Sequence, residues 1–395
     1  MKTVLAYSGG LDTSVAVKWL QDQYKTDVVT LTLELGQGKT DLKAIEDKAK
    51  KLGAVATYSL DVREEFFKDY ISKAIKANAL YEGKYPLGTA LGRPLIAKYL
   101  VQIAKKEGAD AVAHGATGKG NDQVRFDVGV RAQDPKLKII APVRDKWMTR
   151  EEAIEYAKKN DIPVSITSAN PYSLDENLWG RSIEAGVLED PMTEPPGDAF
   201  KWTVDASKAP DKAEYVEIGF EKGVPISLNG KKMGGVQLID ALNKIGGKHG
   251  VGRVDMIEDR IIGIKSREVY EAPAALIIIA AHKDLEAMVL TREQKSFKAA
   301  IDQKFAEMVY YGLWFDPLMD DLSAYLDSTQ EQVSGKVKLK LYKGTAQVVG
   351  RESSNSLYSL GLATYDKKDI FDHKSAEGFI KLWGLPSEVA GERKK

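Results

Sequence analysis

Over the first 165 residues, short apolar runs rich in β-branched side chains alternate with stretches whose apolar positions recur every three or four residues. The runs at 4–7, 28–33, 54–60, 110–114 and 138–142 read as strands. Residues 28–33, Val-Val-Thr-Leu-Thr-Leu, have the uninterrupted character of a strand buried on both faces. Helices are expected from residue 15 onward and over 41–52, 64–80, 95–106 and up to 159. In the second of these, Leu42, Ile45, Ala49 and Leu52 share a face and Gly53 stops the helix. Thr149 and Glu152 have capping-box spacing at the start of the last. Strands alternating with helices predict an α/β, Rossmann-like, doubly wound parallel sheet covered on both faces. Ligands of such sheets bind at the carboxyl ends of the strands, where Leu33 and the turns after the first and fourth strands lie.

The pattern changes after residue 162. Residues 171–197 hold several prolines and glycines with little periodicity and read as a crossing between domains. Residues 215–233 alternate and turn at Glu221-Lys222-Gly223 and Asn229-Gly230, which predicts antiparallel hairpins. A helix over 236–245 should end at Gly246-Gly247. The following Lys248-His249-Gly250-Val251-Gly252-Arg253 has the look of a phosphate loop, but no strand precedes it and a connecting turn fits better. Residues 260–264 read as a strand, and 274–281 as either a core strand or a buried helix segment, far too short to cross a bilayer. A long helix over 293–310 and a hairpin of 336–341 with 345–349 complete an antiparallel α+β half. Residues 375–382, with Phe379, Ile380 and Leu382, suit a helix that packs on another subunit, and 391–395 a solvated tail. The expected units are a nucleotide-binding domain at 1–165, a substrate-binding and multimerisation domain at 166–365, and a C-terminal helix and tail at 366–395.

Composition acts mainly by exclusion. A chain of 395 residues exceeds one simple core, and 43% hydrophobic with 29% charged residues is the balance of a soluble globular protein. Lys plus Arg equals Asp plus Glu at 57 each, so no global field points to nucleic acid or a membrane, and an anion site must be built locally. The absence of cysteine removes disulfides, thiolate catalysis and thiolate metal sites, and fits a cytoplasmic protein. The chain opens on a strand and a glycine turn, without the basic and apolar regions of a signal peptide.

The first candidate chemistry is Ser8-Gly9-Gly10-Leu11-Asp12-Thr13-Ser14, between the first strand and first helix. Glycines let the backbone turn and approach a ligand, and the orphan N–H groups of a helix start favour an anion. Ser8, Thr13 and Ser14 add hydroxyl donors. There is no Gly-x-x-x-x-Gly-Lys loop and no Gly-x-Gly-x-x-Gly turn, so neither a γ-phosphate lysine nor a dinucleotide is implied. Asp12 either caps the helix or holds Mg²⁺ against phosphates. The order resembles the SGGxDS/T loop of the ATP pyrophosphatases, which cleave ATP between the α- and β-phosphates. Two further stretches stand out. Tyr85 to Pro94 is either a helix start with Pro94 at N1 or a substrate loop with Tyr85 at its rim. His114 to Arg125 is a second glycine turn at a strand's carboxyl end.

Taken together, AYSGGLDTS (6–14), YPLGTALGRP (85–94), HGATGKGNDQVRF (114–126), NPYSLDENLWGRS (170–182) and GKHGVGRVDMIEDRIIGIKSREVYE (247–271) resemble the argininosuccinate synthase family over nearly the whole chain. The resemblance implies an ATP-dependent ligase in arginine biosynthesis. Citrulline attacks the α-phosphorus to give a citrullyl-adenylate and pyrophosphate, and the aspartate amine then displaces AMP. It implies ATP contacts at Ala6, Tyr7, Ser8, Gly9, Gly10, Leu11, Asp12, Thr13 and Ser14, at Leu33 and at Gly115. Aspartate contacts fall at Thr117, Asn121 and Asp122, and citrulline contacts at Tyr85, Asn121, Arg125, Ser173, Ser182, Glu258 and Tyr270. Some members carry a serine where this chain has Ala90, so a citrulline contact there is expected from the main chain alone.

The residue types suit these roles. A ureido oxygen is a weak neutral nucleophile, so rate must come from in-line positioning and stabilised phosphoryl charge. Asp12 and Asp122 are therefore expected to act catalytically by positioning, and Mg²⁺ to arrive with ATP. Arg125 can bind a carboxylate bidentately, while Glu258 and Asp122 suit ammonium groups. Spacing alone favours Arg125 and Glu258 as surface charges, Ser173 and Ser182 as loop serines and Tyr270 as a core aromatic, and only the resemblance reverses that reading. The resemblance also implies a homotetramer.

Overall fold

The computed structural model describes residues 1–38, 41–145, 150–163 and 172–393. Thr149 of the expected capping box, Asn170 and Pro171, and the division at 165/166 lie outside the described residues.

Strands β1 (Lys2–Ala6), β2 (Asp27–Glu34), β3 (Ala56–Asp61), β4 (Ala111–Ala113) and β5 (Lys138–Ile140) form a parallel sheet in the order β3-β2-β1-β4-β5. All of β2 after Asp27 is buried, which is why its sequence runs apolar without alternation. The Leu11–Tyr24 helix buries Val15, Ala16, Trp19 and Leu20, and the Gly88–Glu107 helix lies in the largest apolar cluster with Leu91, Leu95 and Leu100. The chain moves outward from β1 to β3 and returns to place β4 on β1's other side. The switch point therefore lies between β1 and β4, where both glycine turns begin.

In the second half, β6 (Ser173–Asn177), β7 (Gly180–Glu184), β11 (Arg253–Asp259) and β12 (Lys265–Glu271) form an antiparallel sheet, β11-β12-β7-β6. Strands β8 (Glu214–Glu221), β9 (Val224–Leu228), β10 (Lys231–Lys232), β13 (Gly335–Tyr342) and β14 (Thr345–Glu352) form another, β10-β9-β8-β13-β14. One contiguous apolar cluster, from Val4 and Leu33 through Leu91 and Trp179 to Ile278 and Leu341, ties both halves together.

Several elements differ from the sequence reading. The crossing at 171–197 contains the β6–β7 hairpin. The helix expected from 95 begins at Gly88 and encloses Pro94. Its first turns are held by tertiary contacts: Asn177 Nδ2 donates to the Gly88 carbonyl at 2.8 Å, and a Cβ on Gly88 would lie 3.5 Å from Gly180. The Asp122–Gln133 helix went unread because its buried face is Arg125, Phe126, Gly129 and Val130, with little apolar periodicity; at Gly129 a Cβ would stand 3.1 Å from Ala97. Residues 260–264 form the turn between β11 and β12, not a strand, with Gly263 at φ +85°. The Gly235–Lys248 helix continues through Gly246 and Gly247. Only glycine allows this at Gly247, where a Cβ would fall 1.9 Å from the Trp202 carbonyl oxygen. The 274–281 run is a helix, Pro273–Val289, opened by proline and buried along most of its length. The Pro317–Gln330 helix, capped by Asp316 accepting from Leu318 N–H, was also unread.

Candidate active site

The first glycine turn leaves β1 at Ala6. Tyr7 N–H still bonds Leu31 C=O at 2.8 Å, and Gly9 turns the chain at φ +78°. Gly10 is the N-cap of the Leu11–Tyr24 helix and no side chain caps it. The capping reading of Asp12 is thereby overturned: Asp12 is exposed in the first turn, beside the helix dipole's positive end. Ser8 and Thr13 hydroxyls meet at 3.1 Å near the mouth. Ser14 corrects the three-hydroxyl reading, because it is buried and its Oγ faces Tyr7 OH at 3.3 Å and the Gly9 carbonyl at 3.4 Å. A lysine reaches this loop from elsewhere. Lys48, on the Leu42–Lys51 helix, donates from Nζ to the Gly9 carbonyl at 2.6 Å, and burial holds its ammonium below the usual lysine range.

The second turn leaves β4 at His114. Ala116 N–H donates to His114 Nδ1 at 3.2 Å, so the ring proton sits on Nε2 and faces Asp127 Oδ1 at 2.9 Å. Arg144 holds the other oxygen of Asp127 at 2.9 Å. This chain of bonds braces the turn against the following helix. A Cβ on Gly115 would lie 3.6 Å from Thr13 Cγ2, so the two turns adjoin at the switch point. Leu33 is buried near the end of β2, and its carbonyl accepts from Gln37 Nε2 at 2.8 Å. Thr117 is exposed on the second turn.

The third wall is one face of the β11-β12-β7-β6 sheet. Cross-strand partners share a face, and so do residues two apart on a strand. The register pairs Ser173 with Glu184, Asp175 with Ser182, Ser182 with Tyr270, Met256 with Glu268, and Glu258 with Ser266. These residues therefore form a largely polar face, while Leu174, Ile183 and Val269 pack on Leu188 and Ala199 behind it. Arg260 spans this face, with Nη2 2.8 Å from both Glu184 and Glu268. Burial and the neighbouring Glu268 push the Glu184 carboxyl up to about 7.

Against this face stand the starts of two helices. Tyr85 stacks on Tyr270 with ring centroids 4.1 Å apart, and its hydroxyl accepts from Thr89 N–H at 3.0 Å. Thr89 Oγ1 is 3.4 Å from Ser182 Oγ. Arg93 bridges Asp122 at 2.8 Å and Asp175 at 2.7 Å. Arg125 pairs with Asp122 Oδ1 at 3.0 Å and donates from Nε to the Tyr310 carbonyl at 3.0 Å. Burial opposes ionisation of Asp122, but Arg93 and Arg125 outweigh it and hold the carboxyl below the usual range. The Arg125 side chain is 4% exposed, and its Nη2 has no hydrogen-bond partner among the described residues. A buried donor of this kind suits an incoming carboxylate. Glu258, 3% exposed, accepts from Tyr270 OH at 2.6 Å and Tyr310 OH at 2.5 Å. Burial raises its carboxyl above the usual range, and the two phenols restrain the rise.

Asn121 Nδ2 donates to Tyr310 OH at 2.8 Å, so of the expected site residues Tyr85, Asn121, Asp122, Arg125, Ser182, Glu258 and Tyr270 belong to one bonded patch. Ser173 is exposed on the outer strand β6, opposite Glu184. Ala90 is fully buried. Sequence reasoning passed over Lys48, Arg93 and Tyr310. Arg93 carried the one usable signal, a cation within the Tyr85 to Pro94 stretch that already stood out. Lys48 and Tyr310 had none, because each enters from a remote element.

Comparison with known proteins bears on the whole chain. The arginosuccinate synthase N-terminal HUP domain matches residues 2–163, and the arginosuccinate synthase C-terminal domain matches 172–390. The argininosuccinate synthase of Oceanobacillus iheyensis is 59% identical over 98% of this chain and 93% of its own length. That of Dictyoglomus turgidum is 60% identical over 97% and 96%, and that of Symbiobacterium thermophilum 57% over 98% and 97%. A solved 4-thiouridine synthetase–RNA complex with bound ATP matches 40% of each chain at 18% identity and a TM-score of 0.30. With both halves matched and this identity sustained almost end to end, the chain belongs to the argininosuccinate synthase family of ligases.

Proposed function

We propose that this site joins citrulline to aspartate at the expense of ATP, with each substrate held by a distinct wall. ATP occupies the first turn and Gly115, with its phosphates on the N–H groups of residues 9–14. Citrulline lies on the sheet face, its carboxylate on Arg125 and its ammonium on Glu258. Aspartate meets Thr117, Asn121 and Asp122. The observation that carries this reading is the pairing of Arg125, whose buried Nη2 has no partner among the described residues, and Glu258 through a single tyrosine, beside two adjoining glycine turns. A cation and an anion so placed match the two charges of an α-amino acid.

In the first step the ureido oxygen bonds to the α-phosphorus as the α–β phosphoanhydride breaks and pyrophosphate leaves. In the second, the aspartate amine bonds to the activated ureido carbon, AMP leaves and the amine loses a proton. Arg125 and Glu258 contribute by orienting the nucleophile, and the helix N-terminus by stabilising phosphoryl charge. Among the described residues no cluster of three or more His, Cys, Asp or Glu could hold a metal. Mg²⁺ would arrive with ATP, and exposed Asp12 would hold it from the protein side. When bound, it neutralises charge on the departing pyrophosphate.

The reading extends to a cytoplasmic homotetramer with domains at 1–165 and 166–365 and an arm at 366–395. The His373–Glu392 helix supports the assembly, since it buries no residue within its own chain while Phe379, Ile380, Leu382 and Trp383 are exposed.

The test is incubation with ATP, Mg²⁺, citrulline and aspartate. AMP, pyrophosphate and argininosuccinate are expected, and ADP as the nucleotide product overturns the reading. Asp12→Asn is expected to lower turnover about 10²-fold. Its unfolding free energy should stay within about 1 kcal/mol of wild type, since no cap bond is lost and only the exposed carboxylate's interaction with the helix dipole goes. Steady-state rates with urea unfolding check both parts.

A further inference from the structure

Tyr310 ends the Arg292–Tyr310 helix, far in sequence from every residue assigned a substrate, yet it touches three of them. Its hydroxyl is 2.5 Å from Glu258 Oε1 and 2.8 Å from Asn121 Nδ2. Its carbonyl accepts from Arg125 Nε at 3.0 Å, and the Arg125 guanidinium lies 4.9 Å from its ring centroid. The directions of these bonds follow from chemistry. Ile261 N–H can only donate, and it meets Asn121 Oδ1 at 2.9 Å. Asn121 must therefore turn Nδ2 to Tyr310 and donate to its oxygen. The single Tyr310 proton is then committed to Glu258, and the chain runs Ile261, Asn121, Tyr310, Glu258 in one sense. Tyr270 meets the other oxygen of Glu258 at 2.6 Å, so both Glu258 oxygens are engaged by phenols.

The tyrosine itself is immobilised. Tyr81 stacks on its ring at 3.5 Å with 6° between planes, and Tyr81 OH is tied to the Asp259 carbonyl at 2.8 Å. Just past the helix, Gly312 turns at φ +75°, where a Cβ would lie 2.8 Å from Arg125 Cα. The chain end that carries the Tyr310 carbonyl is thus packed against the Arg125 backbone. Ring, hydroxyl and carbonyl are all fixed by contacts that no substrate is needed to complete.

Resting on the substrate assignment above, we propose that Tyr310 is a positioning residue that couples the two amino-acid subsites. It sets Asn121, which serves both substrates, in register with Glu258 and Arg125, which serve citrulline. Tyr270 is the informative contrast, because it also donates to Glu258 but stacks on Tyr85 and makes no bond to Asn121 among the described residues.

The groups facing Glu258 are Tyr270 and Glu268 from β12, Tyr310, Arg125 from the Asp122–Gln133 helix, Arg260 from the β11–β12 turn, and Tyr81 and Tyr85. Burial raises the Glu258 carboxyl and the Tyr310 hydroxyl lowers it, so removing that hydroxyl raises it further. The binding-competent form is the carboxylate, lost as pH falls. The acid limb of kcat/KM for citrulline therefore moves to higher pH in Tyr310→Phe.

The experiment compares wild type, Tyr310→Phe and Tyr270→Phe as full-length proteins, measuring pyrophosphate release across pH with each substrate varied. In Tyr310→Phe, KM for citrulline and for aspartate should each rise about tenfold, KM for ATP should hold, and the acid limb should shift upward. In Tyr270→Phe the limb should shift with citrulline affected and aspartate spared. Should Tyr310→Phe not fold, Asn121→Ala tests the same coupling: the acid limb for citrulline should move although Asn121 does not touch Glu258. Unchanged aspartate KM and an unmoved limb in Tyr310→Phe, or an unmoved limb in Asn121→Ala, overturn the proposal while leaving the substrate assignment intact. A wild-type protein that releases no citrulline-dependent pyrophosphate overturns the assignment, and the coupling with it.

Discussion

Arg125→Lys is expected to lower kcat/KM for citrulline by about 10²- to 10³-fold while KM for ATP stays near the wild-type value. The side chain is a planar fork with all of its edges in use or aimed inward. Nη1 meets Asp122, Nε meets the Tyr310 carbonyl, and buried Nη2 is the donor left for a substrate carboxylate. Lysine keeps the charge but offers a point in place of the fork, so one amine cannot hold Asp122, the Tyr310 carbonyl and a carboxylate together. The substitution therefore removes orientation more than attraction. Asp122 keeps Arg93 at 2.8 Å, so the protein is expected to fold. Steady-state kinetics with citrulline varied, beside a urea curve, decide the point. A loss of activity matched by an equal loss of unfolding free energy would make Arg125 a structural residue.

The second large effect is on stability. Glu271→Ala should reduce the free energy of unfolding by about 3–5 kcal/mol, seen as a lower urea midpoint. Glu271 is fully buried at the end of β12, and five donors converge on its two oxygens. Trp202 N–H, Thr203 N–H and Thr203 OH meet Oε1 at 2.8–2.9 Å, while Lys201 N–H at 3.0 Å and Arg181 Nη1 at 2.7 Å meet Oε2. Removing the carboxylate takes from buried Arg181 its closest counter-charge, leaving Glu176 at 3.4 Å, and strands three backbone donors with it. Because Tyr270 is the preceding residue on the same strand, citrulline saturation should also weaken in the folded fraction. An unchanged midpoint would show that water satisfies those donors.

The sequence was most legible where a residue's surroundings are uniform. The interior strands of the parallel sheet are wrapped on both faces, so β2 announces itself as an apolar run. A glycine turn between strand and helix is a local event, and its consequence for phosphates follows from backbone N–H groups alone. The β11-β12-β7-β6 sheet was illegible for the opposite reason. Strands β6, β7, β11 and β12 carry one polar, hydrogen-bonded face, so Ser173, Ser182, Glu184, Glu268 and Glu258 fall where an apolar strand would carry hydrophobic side chains. The β6–β7 hairpin accordingly read as an irregular crossing, and the apolar turn at 260–264 read as the strand. The Asp122–Gln133 helix was hidden likewise, since its inner face is built from Arg125, Phe126 and Gly129.

By itself, then, the sequence determined the parallel α/β half, the two glycine turns at strand ends and, through motifs spanning the chain, the family. Those features depend on neighbours within a few residues or on residue identity alone. Tertiary structure decided what fills the site between them. It denied Asp12 its cap because Gly10 holds that position, turned the Ser14 hydroxyl inward, and brought Lys48 to the first turn from another helix. It also joined Asn121, Arg125 and Glu258 through Tyr310. Such contacts link residues up to 189 positions apart, and no periodicity carries information over that range. Side-chain direction, burial and hydrogen-bond sense are settled only when the packed elements meet.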